Sequence, residues 1–299
     1  MLDIEKTEQY LQKKGHSIYI TEQGCQYVSK IQEILKKGRR INKDRKEELL
    51  PEAYFVLIEG ASVNASSTKC GDNYYIFINK GIIEEQREYL QRYDWKSFLD
   101  EEEIEQYLDS IIEYGFYFIA MHEYAHILYQ HAEAADAEEN ITKESEADMF
   151  SMSFLVKYIG YIQPDENLIE EEEKMFLAVY FLLENMGKQD YREFYNDRLM
   201  ENYYSPDKIQ KRDHPLVAQR IFYLYDMLNV VVVTNEVKKL PLKDRVVEKL
   251  CKITGVNNIK KSIDNVNYNL VEDSICNIKE LVNSKGEYIN VIWNFYQKG

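Results

Sequence analysis

At 299 residues the chain is long enough to bury a sizeable core without disulfide or metal staples, and it permits one large domain or two of ordinary size. Hydrophobic residues make up 45% and charged residues 30%, with only 12 Gly and 5 Pro, which suits a compact, mostly helical globular protein and excludes long disordered tracts. The formal net charge of −15 argues against nucleic acid or an anionic membrane surface as a partner, because both would be repelled.

In chain order, residues 1–50 place apolar and charged positions at helical spacing, and "TEQGCQYVSKIQEILKKG" predicts an amphipathic helix closed by Gly38. "AYFVLIEGASVNASS" and "NYYIFIN" are rich in β-branched and aromatic residues, and predict two strands joined by the tight connection "TKCGD". Helical spacing resumes at "KGIIEEQREYLQRY" and continues as a long helical stretch over 101–138. A polar loop near Asn140 follows, then a helix from about Lys143 to Tyr158 stopped by Gly160, and another over about 168–186. A further helix is expected to begin at Pro215, since the first turn tolerates a residue without an N–H. Residues 237–299 keep a helical pattern and carry no chemical motif, which gives a division into a helical segment 1–52, a core 53–236 and a helical extension 237–299.

The acidic runs Asp100 to Glu103 and Glu170 to Glu173 read as solvated helix starts, where carboxylates favour the N-terminal dipole. Cys25, Cys70, Cys251 and Cys276 form no CxxC pair and no dense framework, so a reducing, cytoplasmic setting is expected. "MLDIEKTEQYLQKKG" has no apolar core of the kind a secretory signal needs. "MFLAVYFLL" and "VVVV" fall short of the roughly 18–20 residues that span a bilayer, so no integral membrane span is expected.

The chemistry concentrates in "FYFIAMHEYAHILYQH", residues 116–131, which holds three of the five histidines. Ile104, Leu108, Ile111 and Phe118 share one helix face, and at 100° per residue His122 and His126 continue that stripe toward the core. Two imidazoles at i and i+4 can bind one zinc ion, and Glu123 beside them is placed to take a proton from water at the metal. The same stripe also fits a buried helix that merely carries histidines, so the reading turns on a further ligand. His131 lies five positions past His126, about 140° around a continuing helix, and is expected to point away as a cap or a supporting residue.

The next helix supplies carboxylates in "TKESEADMFS". Glu144 and Asp148 are one turn apart, so one can bind the metal while the other accepts the free N–H of a ligating histidine. Glu146 is the alternative ligand, but Phe150 stands one turn beyond it where a second carboxylate would be needed. Further on, His214 in "RDHPLVAQRI" could stabilise an oxyanion at the open side of the metal, although a lone histidine before proline is also an ordinary turn residue.

"HEYAHI" followed by "ESEAD", with "DHPLVAQRI" downstream and "VNASSTKCGDNYYIFINKGII" upstream, resembles the gluzincin metallopeptidases, and within them the CAAX-protease/HtpX family and its soluble relatives. The resemblance implies that His122, His126 and Glu144 bind zinc, that Glu123 is the general base and acid, and that Asp148 supports a ligand. It also implies that His214 and Arg220 stand at the transition-state side. Val63, Asn64, Ala65 and Ser66 would form the cleft edge, accepting a protein or peptide substrate as an added strand. The fold it implies is α+β, a mostly helical zincin-like domain with a small, mainly antiparallel sheet packed on the HExxH helix. The sequence departs from the membrane-embedded members in lacking apolar spans and in the short gap from His126 to Glu144. A looser likeness to phage-exclusion peptidases implies a narrow intracellular protein target. The expected function is therefore a cytoplasmic zinc endopeptidase, and the alternative is a non-catalytic, metal-bound regulatory protein on the same scaffold.

Overall fold

A computed structural model describes residues 11–13, 15–45, 50–70, 73–131, 137–162, 168–192, 220, 224 and 242–254. The architecture is α+β and predominantly helical. Helix α1 spans Glu22–Arg45, followed by strands β1 (Ala53–Ile58), β2 (Ala65–Cys70) and β3 (Asn73–Asn79). After a 3-10 turn at Lys80–Ile82 come α2 (Glu84–Leu90), α3 (Glu101–Leu128), α4 (Ala137–Ile162), α5 (Leu168–Arg192) and α6 (Leu242–Thr254).

The sheet order is β1-β3-β2, with β1 parallel and β2 antiparallel to β3. It is therefore mixed rather than mainly antiparallel, and "AYFVLIEGASVNASS" divides into two strands instead of forming one. Hydrophobicity explains the pairing. Phe55 to Ile58 of β1 and Tyr75 to Ile78 of β3 are each consecutive and buried, so these two strands are covered on both faces and pair with one another. Ile76 and Ile78 face the main core with Phe55 and Leu57, whereas Tyr75 and Phe77 pack with Val56, Ile58 and Leu11 on the other side. The polar strand "ASSTKC" is left for an edge.

The loop from β1 to β2 folds tightly over the end of β3. A Cβ on Gly81 would stand 2.6 Å from the Ser62 carbonyl oxygen, closer than any side chain tolerates. Asn79 donates its Nδ2 hydrogen to Ser62 Oγ at 2.7 Å and its backbone N–H to the Asn64 carbonyl at 3.0 Å, fixing where β2 begins. The outer edge of β1 is covered by the segment around Ile18, through Tyr19 N–H to the Leu57 carbonyl at 2.9 Å and Glu59 N–H to the Ser17 carbonyl at 2.8 Å. Among the described residues, no backbone covers the outer edge of β2 in that way.

Helix α3 is the axis of the molecule. From Tyr114 to His122 every residue is buried, more than the single stripe the spacing predicts, because β2, β3, α1, α4 and α5 surround it. The helices run further than their internal glycines imply: α1 passes Gly38, and α4 starts before Asn140 and passes Gly160. An isolated glycine costs about 1 kcal/mol in a helix interior, which does not stop a helix of this length. The long stretch expected over 101–138, in contrast, ends at Leu128. Tyr27, Ile31 and Leu35 of α1 and Val246, Leu250 and Ile253 of α6 belong to the same core as α3. No helix among the described residues is long and apolar enough to cross a membrane.

Candidate metal centre

Helices α3 and α4 pack antiparallel, so His122 and His126 meet Asp148 and Glu144 in reverse order. The two Nε2 atoms of His122 and His126 are 3.1 Å apart. Glu144 faces both, with Oε2 3.2 Å from His122 Nε2 and Oε1 3.3 Å from His126 Nε2. Ligands about 2.0–2.1 Å from a tetrahedral zinc ion stand about 3.3 Å from one another, so these spacings fit the edges of such a site. His122, His126 and Glu144 could hold a metal ion.

The sequence left Glu144 and Glu146 open, and the geometry separates them. Glu144 joins the donor set, while Glu146 Oε2 lies 2.8 Å from His131 Nε2. Asp148, fully buried, lies 2.9 Å from His122 Nδ1. This carboxylate holds the ring so that Nε2 points at the donor set.

Arg220 grips the far side of Asp148. Its Nε donates to Oδ2 and its Nη2 to Oδ1, each at 2.7 Å. The resemblance put Arg220 on the transition-state side, but here it stands behind the Nδ1 face of His122, opposite the converging Nε2 atoms. A buried carboxylate with two further donor sites draws in the guanidinium fork, which matches both oxygens at once. Burial opposes ionisation of Asp148, yet the Arg220 charge and the His122 hydrogen bond outweigh it and hold the carboxyl well below the usual range. Burial likewise opposes protonation of His122, and the Asp148 and Glu144 carboxylates overcome it and push the ring well above an ordinary histidine.

No protein-family model, curated protein or solved structure matches this chain.

His131 does not point away. Helix α3 stops at Leu128, Gln130 takes a positive φ of 56°, and the chain turns back so that His131 Nδ1 lies 3.0 Å from His126 Nδ1. The turn has no sequence signal, because glycine or asparagine, not glutamine, usually marks a left-handed helix end. The Arg220–Asp148 pair was equally silent, since its partners are far apart in the chain.

Glu123 is half-buried between buried neighbours, and among the described residues it makes no hydrogen bond or ion pair. His126 is half-buried too, so solvent reaches the centre along this side of α3. Val63 is buried and Asn64 exposed just before β2, where Asn64 Oδ1 accepts from Ala65 N–H at 2.9 Å. Ala65 packs against the core under β2, and Ser66 is exposed on the strand. His214 lies outside the described residues, as does the start of the helix expected at Pro215.

Proposed function

We propose that the protein is a zinc-dependent endopeptidase of the gluzincin type, acting in the cytoplasm on a protein or peptide. The observation that carries the reading is the juxtaposition of a two-imidazole, one-carboxylate donor set with a half-buried Glu123 committed to no other described residue. Nitrogen and oxygen donors at this spacing suit zinc, and three protein ligands leave a fourth position for water or substrate. When bound, the metal supplies a Lewis acid that polarises a carbonyl and lowers the pKa of water.

The chain's own residues do the rest. Asp148, backed by Arg220, keeps the His122 proton on Nδ1 and leaves Nε2 as a donor. Glu123 takes the proton of the attacking water and hands it to the leaving amine. The outer edge of β2, beginning beside Asn64, offers backbone groups to an extended substrate. His214 is assigned to the oxyanion on the strength of the motif alone.

The test pairs metal analysis with a peptide-library assay on wild type and Glu123→Gln. Zinc at one equivalent, with cleavage abolished by the substitution, is the expected result. Absence of zinc after loading, or equal cleavage by both proteins, sinks the enzyme. Zinc without any cleavage would favour a regulatory protein on this scaffold.

A further inference from the structure

The donor set uses Nε2 of His126, and its other ring nitrogen leads to a second group. Nδ1 of His126 lies 3.0 Å from Nδ1 of His131, and Nε2 of His131 lies 2.8 Å from Glu146 Oε2. His131 is 8% exposed, so its ring is enclosed rather than lying on the surface. Glu146 is two residues from Glu144 and therefore about 200° away around α4, on a side from which it does not join the donor set. The early stop of α3 and the left-handed turn at Gln130 place His131 between them.

Proton placement follows from the chemistry of neutral imidazole, which carries one N–H and one acceptor nitrogen. A ring that offers Nε2 to a metal carries its hydrogen on Nδ1. That N–H of His126 must donate, so Nδ1 of His131 must accept. The His131 hydrogen then stands on Nε2, where the Glu146 carboxylate accepts it. This one assignment satisfies every atom in the line.

We infer that His131 is a positioning residue for the metal centre, linking His126 to Glu146 and fixing the His126 ring and tautomer. The inference rests on the metal-site reading above. The two ligating histidines are thus anchored differently: His122 directly on Asp148, and His126 through an intervening imidazole. The direct link is fully buried, whereas the relayed one lies on the half-buried side of the centre.

The experiment uses the full chain, with zinc affinity measured by chelator competition for wild type, His131→Ala and His131→Asn. Supporting partners of metal ligands are typically worth 10–100-fold in affinity, so His131→Ala is expected to weaken zinc binding by about that factor. His131→Asn, whose side-chain carbonyl can replace the Nδ1 acceptor, should recover most of the loss. A second readout needs no variant: nitrogen-15 imidazole spectra of the zinc-loaded wild type should show His126 protonated at Nδ1 and His131 at Nε2. Equal zinc affinity in wild type and His131→Ala, or a proton on His131 Nδ1, overturns the relay while leaving the metal site intact. A wild type that binds no zinc overturns both.

Discussion

Asp148 holds two neighbours through one buried carboxylate: the guanidinium of Arg220 and the Nδ1 of His122. Removing one partner of a buried ion pair leaves the other charge stranded, at a cost of about 3–5 kcal/mol. Arg220→Ala is expected to lower the unfolding free energy by that amount in urea titrations of the metal-free protein, and to weaken zinc binding as well. Because the folded state holds the Asp148 pKa below its unfolded value, its contribution is present above about pH 4 and is lost as pH falls through the depressed value. Stability should therefore drop on acidification, with a shallower slope in Asp148→Asn. His122 runs the other way: protonated His122 stabilises the metal-free protein below about pH 6.5, and that contribution disappears as pH rises through its elevated value. A metal needs the neutral ring, so it competes with that proton, and zinc affinity measured across pH 6–8 should rise with pH. Glu144→Ala should weaken zinc far more than Glu146→Ala, since Glu144 faces both Nε2 atoms and Glu146 acts through His131.

At the scale of elements, α6 is joined to the core by apolar packing and by ion pairs to α5. Leu250 is 2% exposed within the core, and the buried carboxylate of Glu173 on α5 pairs with Arg245 at 2.6 Å and with Lys249 of α6. Leu250→Ala is expected to cost about 2–5 kcal/mol, lost in the same cooperative transition as the α3 core, because α6 shares that interior. Two separate transitions in the calorimetric trace would contradict this. In the 3-10 turn packed against the loop into β2, Gly81→Ala forces a methyl against the Ala61 and Ser62 carbonyls. Overpacking of this kind costs about 1–3 kcal/mol. If β2 is the substrate edge, the same substitution should raise KM more than it lowers kcat.

For the whole molecule, the donors come from two neighbouring helices, and α3 is enclosed by α5 and the sheet through apolar contacts that involve none of the donors. The metal-free protein should therefore keep its far-ultraviolet circular dichroism, unlike a zinc finger that unfolds. Zinc at 100 times its dissociation constant adds about 2.7 kcal/mol, readable as a raised Tm that chelator reverses. The acidic surface, with a net charge of −15, should also favour the cation's approach and make that association faster at low ionic strength.

The sequence by itself determined that His122, Glu123 and His126 share one helix, that their stripe runs into the core, and that Glu144 and Asp148 lie one turn apart. Helical periodicity is local, and local geometry is what residue spacing encodes. Only the tertiary structure decided the partners across elements: Glu144 rather than Glu146 at the donor set, Arg220 behind Asp148, His131 returned to His126, and a parallel β1–β3 pair inside a mixed sheet. These depend on where helices end and which faces meet. The stop at Leu128 occurs at a glutamine turn without a capping signature, and the β1–β3 pairing follows from burying both faces of each strand. Both are set by the energy of the assembled core, which no short stretch of sequence contains.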